Sequence, residues 1–251
     1  MQTASDRVPV SDSHQNDPPT SDPREKLIVA LDVSTAAAAQ KIAAAVGDSA
    51  LTFKVGMQLY TAEGPQVVRD LVASGRRVFL DLKYHDIPNT VAAAVREAAH
   101  RGVSMLTVHA AGGGKMLHAA VQAARNANPE LMVLGVTVLT SMDEDDLAKI
   151  GVHGPIVEQV TRLADLALAE GCQGVVASAR EAPALRAKLG HKFAIVAPGV
   201  RPAGSAHDDQ ARVLTPAEAI AAGASHIVVG RPITEATDPA AAARAILGQI
   251  S

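Results

Sequence analysis

The sequence has few aromatic residues and almost no cysteine. Its 251 residues include no Trp, two Tyr, three Phe and a single Cys, Cys172. So few rings argue against the stacked-base platforms that bind single-stranded nucleic acid, and we expect no nucleic-acid partner. One cysteine excludes an internal disulfide and a CxxC metal site, so we expect a small buried thiol. No apolar run reaches the roughly 18 residues that a membrane span requires, so we expect no membrane partner.

The N-terminal segment, MQTASDRVPVSDSHQNDPPTSDPRE, is rich in Ser, Asp and Pro and poor in apolar residues. This composition is typical of a disordered tail, and the segment lacks the apolar core of a secretory signal. We therefore expect a tail over residues 1–25, one domain over residues 26–251, and a cytoplasmic protein. Apolar residues make up 48% of the chain, which is sufficient for one large core.

From Lys26 onward, short apolar runs alternate with Ala-rich segments of helical character. The strand candidates are KLIVALD, LTFKVG, RVFLDLK, SMLTVHA, LMVLGVTVL, QGVVASA, FAIVAPG and HIVVG. These runs are continuously apolar, as expected for a parallel sheet that is buried on both faces. About eight strand–helix units in this length predict an α/β fold, a (β/α)8 TIM barrel. A doubly wound open sheet is the alternative.

Polar side chains recur at the C-terminal ends of these runs, where the active sites of (β/α)8 barrels lie. Solvent exposure explains a polar residue at any one strand end, but two lysines and two aspartates on neighbouring strands are harder to explain in this way. The polar residues in question are Asp32, Lys54, Asp81, Lys83, His109, Thr140, Ser141, Arg201 and Arg231.

The stretch FLDLKYHDIPNTV carries the densest group of charges. Asp81 and Lys83 are two residues apart, so in a regular strand they share a face. Lys54, on the preceding strand, is predicted to reach Asp81, and Asp86 lies just beyond the strand. In such an array each ammonium group keeps the carboxylates ionised, and each carboxylate keeps the ammonium groups charged. A buried ion-pair network that only holds the barrel together is the alternative, but such networks contribute little to stability.

The last quarter of the chain predicts a phosphate site. PGVRPAGSAHDDQ follows the seventh strand, and VVGRPIT carries the eighth strand into its helix. The loops after strands seven and eight are the recurrent phosphate site of these barrels, and backbone N–H groups near Gly230 favour an anion. Arg231 can add a charge-assisted contact, and Gln210 is a further candidate donor. His109 and His118 have no third ligand at metal spacing, so we expect no metal site.

These motifs resemble those of the orotidine 5′-phosphate decarboxylase family. The resemblance rests on FLDLKYHDIPNTV, with LDV, FKVG, VLTS, APGVRP and VVGRPIT, and it runs from Lys26 to the C-terminus. The DxKxxD core alone is shared with metal-dependent sugar-phosphate decarboxylases and hexulose-phosphate aldolases. Those relatives carry an acidic metal ligand at the end of the second strand, where this chain has Lys54.

The resemblance implies a homodimer without cofactor or metal that converts orotidine 5′-phosphate to UMP and CO₂ in pyrimidine synthesis. It implies that Lys83 donates a proton to C6, that Asp81 lies beside the departing carboxylate, and that Lys54 holds Asp81 and a ribose hydroxyl. It further implies that Asp86, Ile87 and Thr90 reach into the partner subunit's site. Ribose, pyrimidine and phosphate contacts are implied for Asp32, Thr140, Ser141, Arg201, Gln210, Gly230 and Arg231.

Two alternative functions remain open from the sequence. One is a Mg²⁺-dependent sugar-phosphate decarboxylase or aldolase on the same barrel, which a chelator would inactivate. The other is a non-catalytic protein that binds a phosphorylated metabolite. It would need only the Arg231 site and would leave the lysine–aspartate array unexplained.

Overall fold

A closed barrel of parallel strands forms the centre of the protein. The computed structural model describes residues 22–202 and 214–251. Its strands are β1 (Leu27–Ala30), β2 (Thr52–Gly56), β3 (Arg77–Tyr84), β4 (Met105–His109), β5 (Met132–Val136), β6 (Gly174–Val176), β7 (Ala194–Ala197) and β8 (His226–Val229). Each strand pairs in parallel with its neighbours in chain order, and β8 closes the ring onto β1. The predicted (β/α)8 barrel is confirmed, and the open-sheet alternative is wrong.

Helices connect the strands and surround the barrel. Within the described residues the α-helices are α1 (Pro23–Lys26), α2 (Ala36–Val46), α3 (Met57–Glu63), α4 (Gln66–Ala73), α5 (Pro88–His100), α6 (Gly114–Ala127), α7 (Glu144–Lys149), α8 (Ile156–Ala169), α9 (Ala182–Leu189), α10 (Pro216–Ala221), α11 (Arg231–Thr234) and α12 (Pro239–Ile250), and Gly47–Ser49 and Ala110–Gly112 form short 3-10 helices. Several begin at side-chain caps, which satisfy N–H groups that have no partner within the helix. Thr35 caps α2, for example, and Thr215 forms a capping box with Glu218 at α10.

The core has two layers, and this explains why the strands are apolar on both faces. The inner layer fills the barrel and comprises Ile28, Ala30, Phe79, Leu134, Val196 and Val228. The larger outer layer lies between strands and helices and contains residues such as Val29, Leu80 and Leu106. Cys172 belongs to the outer layer as a buried thiol, as predicted.

A short helix, α1, precedes the first strand. It includes Pro23–Glu25, which lie within the predicted tail over residues 1–25. Asp22 caps the helix by accepting from the backbone N–H of Arg24, and proline suits the first helical turn. The Lys26 ammonium donates to the Ile250 carbonyl, and Arg77 pairs with Glu25, so the helix is held at the N-terminal end of the barrel.

No helix in the described parts of the chain combines the length and the apolar character that a membrane crossing requires.

Candidate active site

Four charged side chains meet at the C-terminal end of the first three strands. Asp32 follows β1, Lys54 lies in the middle of β2, and Asp81 and Lys83 lie in the second half of β3. The Lys54 ammonium is 2.9 Å from Asp32 Oδ1 and 3.8 Å from Asp81 Oδ2. The Lys83 ammonium is 2.9 Å from Asp81 Oδ1. Negative and positive side chains therefore alternate in space, in the order Asp32, Lys54, Asp81, Lys83. The predicted contact of Asp81 with Lys54 and Lys83 is confirmed.

The four charged side chains differ in how much of their surface is exposed to solvent. The side chains of Lys54 and Asp81 are only 11% and 14% exposed, whereas Lys83 is 25% and Asp32 57% exposed. The inner pair therefore lies in a more weakly screened environment, in which electrostatic interactions are stronger than in water. Lys83 is therefore more accessible to solvent than the Lys54–Asp81 pair beside it.

Gly56 lies close against the ion pair between Lys54 and Asp32. A Cβ on Gly56 would lie 3.1 Å from Lys54 Nζ and 3.2 Å from Asp32 Oδ1, both tighter than ordinary contacts. A Cβ on Gly230 would lie 3.8 Å from Asp32 Oδ2, which is an ordinary contact. A side chain at position 56 would therefore press on both ends of this ion pair, whereas one at position 230 would not.

Strand β3 is irregular where it carries Asp81 and Lys83. Its register against β4 shifts between Leu80 and Tyr84, and Lys83 has a φ of +52°. No other non-glycine residue among the described ones has a positive φ. The side chains of Asp81 and Lys83 do meet, as predicted, but the regular pleat assumed in that prediction is absent. Strained backbone of this kind is concentrated at functional sites.

Thr107, in the middle of β4, is a site residue that the sequence analysis missed. Its buried hydroxyl lies 2.8 Å from the backbone nitrogen of Lys83 and 3.0 Å from Asp81 Oδ1. A threonine inside an apolar strand gives no sequence signal of this role, because the contact depends on the register between β3 and β4.

Asp86, Ile87 and Thr90 do not join the array of their own chain. The Asp86 carboxylate is exposed and accepts from the backbone N–H of Ile87 at 2.6 Å. Ile87 is 67% exposed at the start of α5, and Thr90 is exposed in the first turn of that helix. These residues face away from the chain's own interior, and their proposed place in a partner subunit stays a prediction.

Four further predicted residues that the structure describes follow β5, β7 or β8, and Arg231 opens a short helix. Thr140 and Ser141 follow β5, with Thr140 half-buried and Ser141 exposed. Arg201 follows β7, and its backbone N–H donates to the Leu214 carbonyl at 3.1 Å. Gly230 caps α11, and Arg231 is its first residue. Gln210 lies outside the described residues, so its predicted contact stays a prediction.

Two histidines flank the array at the ends of β3 and β4. The rings of His85 and His109 are 5.4 Å apart. Burial lowers the pKa of His109 from its usual value, and the nearby His85 and Lys83 lower it further, so the ring is neutral at pH 7. Within residues 22–202 and 214–251, no cluster of three His, Cys, Asp or Glu side chains is arranged to hold a metal ion.

The protein is a (β/α)8 barrel that carries an alternating set of ammonium and carboxylate groups at the C-terminal end of its first three strands. The chain belongs to the orotidine 5′-phosphate decarboxylase / HUMPS family, whose sequence model matches residues 25–246.

Relatives cover nearly the whole barrel. A protein from Anaeromyxobacter dehalogenans named orotidine 5′-phosphate decarboxylase is 55% identical over 224 residues, which are 89% of this chain and 97% of the relative. One of the same name from Moorella thermoacetica is 52% identical over 233 residues, 90% of this chain and 92% of the relative. The crystal structure of orotidine 5′-phosphate decarboxylase from Lactobacillus acidophilus superimposes with a TM-score of 0.82 at 39% identity, covering 90% of this chain and 99% of that one.

Proposed function

We propose that this protein is an orotidine 5′-phosphate decarboxylase, a carboxy-lyase that forms UMP and CO₂ in de novo pyrimidine biosynthesis. The observation that carries the proposal is the array in which the partly exposed Lys83 ammonium is held 2.9 Å from Asp81. The names of relatives that are more than half identical over about nine tenths of this chain support the same activity.

Lys83 supplies the proton that completes the reaction. The bond between C6 and the carboxylate carbon breaks, CO₂ leaves, and the electron pair stays on C6 in an sp² orbital outside the ring π system. The positive ammonium of Lys83 stabilises this charge as it develops and then transfers a proton to C6. The neutral amine regains its proton from solvent before the next turnover.

The other members of the array set the position and charge of Lys83. Asp81 lies beside the departing carboxylate and pairs with the Lys83 ammonium. Lys54 bridges Asp81 and Asp32 and donates to a ribose hydroxyl, while Asp32 accepts from the ribose. The ammonium groups and carboxylates are paired before the substrate binds, so little reorganisation accompanies the reaction.

The chemistry requires no cofactor in this mechanism. Decarboxylases that use pyridoxal or thiamine delocalise the electron pair into the cofactor. Here the fixed ammonium of Lys83 takes over that role electrostatically, and neither a metal nor an organic cofactor enters the mechanism.

The phosphate is held far from C6, by the loops after β7 and β8. Arg231 forms a charge-assisted contact with it, the Gly230 region supplies backbone N–H groups, and Arg201 and Gln210 are further donors. Thr140 and Ser141 contact the pyrimidine. Binding energy from the phosphate holds the reacting ring against the charged array.

The active unit is a homodimer with shared sites. Asp86, Ile87 and Thr90 are exposed in their own chain, and in the dimer they enter the partner's site, where Asp86 completes the array. We place the enzyme in the cytoplasm, with the small-molecule substrate and its own second copy as partners and with no role for nucleic acid or membrane.

The second candidate function is that of a Mg²⁺-dependent sugar-phosphate lyase. It is considered because the orotidine 5′-phosphate decarboxylase / HUMPS family is broader than the decarboxylases alone. Lys54 argues against it, since an ammonium in the middle of β2 would repel a divalent cation. The test is to treat the protein with EDTA, add orotidine 5′-phosphate and follow the change in absorbance as UMP forms. We expect turnover without added metal. Turnover that depends on Mg²⁺, or none at all with orotidine 5′-phosphate, would contradict the proposal.

A further inference from the structure

Thr107 connects the two residues on which the proton transfer depends. It lies on β4 with Leu106 on one side, packed in the outer layer, and Met105 two residues away, packed against the barrel interior. Because side chains alternate along a strand, Thr107 points into the barrel beneath the charged array. It is fully buried.

The register places Thr107 opposite the irregular part of β3. Leu80 pairs with Leu106, and the next pair is Tyr84 with Val108. Three residues of β3, at positions 81–83, therefore lie opposite a single residue of β4. The regular ladder is interrupted there, and the backbone N–H of Lys83 needs another acceptor.

The Thr107 hydroxyl supplies that acceptor and also donates a hydrogen bond of its own. Its oxygen accepts from the Lys83 backbone N–H at 2.8 Å. An ionised carboxylate can only accept, so the hydroxyl proton points to Asp81 Oδ1 at 3.0 Å. The same Oδ1 atom accepts from the Lys83 ammonium at 2.9 Å. Backbone, hydroxyl, carboxylate and ammonium thus form a closed ring of hydrogen bonds.

We propose that Thr107 is a positioning residue that holds Lys83 in its left-handed backbone conformation and fixes Asp81 Oδ1 against the Lys83 ammonium. The inference rests on the proposed decarboxylase activity and adds a residue to its machinery. A left-handed backbone is unfavourable for a residue with a side chain, so it persists only where its surroundings determine it. The Thr107 hydroxyl forms hydrogen bonds with the Lys83 backbone N–H and with the Asp81 carboxylate. An apolar side chain of the same shape would form neither.

Three variants separate positioning from simple packing. Thr107→Val keeps the shape and removes the hydroxyl, and Thr107→Ser keeps the hydroxyl and removes a methyl group. Thr161→Val is the matched control, because Thr161 is also buried but its hydroxyl donates to the Val157 carbonyl within helix α8, outside the barrel. Each is assayed for kcat and KM with orotidine 5′-phosphate, and its melting temperature is measured.

We expect Thr107→Val to lower kcat by about ten- to a hundredfold, the range that small misplacements of catalytic groups produce. Because the proposed phosphate contacts lie on the loops after β7 and β8 and not beside Thr107 on β4, KM should change by less than about threefold. Thr107→Ser should restore kcat to within about threefold of the wild type, and Thr161→Val should keep the wild-type kcat although it also loses a buried hydroxyl.

The inference would be overturned if Thr107→Val and Thr161→Val lowered the melting temperature equally and Thr107→Val kept the wild-type kcat. Thr107 would then be a packing residue. Failure of Thr107→Ser to recover kcat would overturn it as well. If Thr107→Val does not fold, Thr107→Ala takes its place with the same expectation. A wild-type protein that does not turn over orotidine 5′-phosphate would overturn the proposed function itself, which the wild-type assay distinguishes from the variant results.

Discussion

The proposed sharing of active sites between subunits predicts that two inactive variants restore each other's activity. Lys83→Ala removes the proton donor, and Asp86→Ala removes the carboxylate that we assign to the partner's site. In the structure, Lys83 pairs with Asp81 of its own chain, whereas Asp86 accepts a hydrogen bond from the backbone N–H of the adjacent Ile87. Each homodimer of a variant should therefore be nearly inactive, for a different reason in each case.

The size of the recovery follows from two-fold symmetry. After random exchange of equal amounts, about half of the dimers are hybrids. One site of a hybrid collects both substitutions, while the other receives an intact Lys83 from one chain and an intact Asp86 from the other. About a quarter of all sites, and hence about a quarter of wild-type activity, should return.

The assay is turnover of orotidine 5′-phosphate before and after subunit exchange. Light scattering verifies that the protein remains dimeric, and two differently tagged variants verify that exchange has occurred. If Asp86 serves its own chain, every hybrid site carries one substitution and no activity returns. Proven exchange without recovery would therefore refute the shared site, while the assignment of Lys83 would stand.

Three further predictions test the phosphate contact, the space around the ion pair and a buried histidine. Arg231→Ala removes a hydrogen bond to a charged group, worth about 1.5–3 kcal/mol, so kcat/KM for orotidine 5′-phosphate should fall at least about tenfold. An equal loss with orotidine would show that Arg231 does not bind the phosphate. Gly56→Ala should lower kcat at least about threefold, because its Cβ would press on the Lys54 ammonium and the Asp32 carboxylate and shift the ion pair. Gly248→Ala, with open space around it, should keep the wild-type kcat. Equal activity of the two variants would refute this role of Gly56. Burial lowers the pKa of His226 to about 4, so the native state resists protonation that the unfolded chain accepts below about pH 6.5. Stability should therefore be lost as pH falls from 6.5 toward 4, by at most about 2 kcal/mol between pH 7 and pH 5, and urea unfolding of His226→Leu should lack this part of the loss.

The barrel could be predicted from the sequence because its strands are buried on both faces. Runs such as LIVA and VFL are continuously apolar, and Ala-rich segments between them fit helices that pack against the outside. The α1 helix was missed because its four residues, PREK, have no apolar face. The helix is held instead by the local Asp22 cap and by polar contacts with Ile250 and Arg77. Ile250 and Arg77 are distant in sequence, so those two contacts form only in the folded barrel.

The charged array was predictable for a similar reason: lysine and aspartate at the ends of apolar strands are costly without partners. The local geometry was not predictable. The spacing of Asp81 and Lys83 indicated a shared face in a regular strand, but the register shift and the left-handed Lys83 arise from pairing with β4. Thr107 enters the site through that same pairing, so no pattern within one strand could identify it.

The central claim is that Lys83 carries the chemistry and not the binding. Its direct test is the Lys83→Ala variant, with kcat measured on orotidine 5′-phosphate and the affinity for UMP measured by calorimetry. A positioned proton donor is worth roughly 10²–10⁴-fold, and loss of the positive charge beside C6 adds to that. We expect kcat to fall by at least about a hundredfold while UMP still binds. Retention of more than about a tenth of the wild-type rate, a barrier change below about 1.4 kcal/mol, would contradict the account.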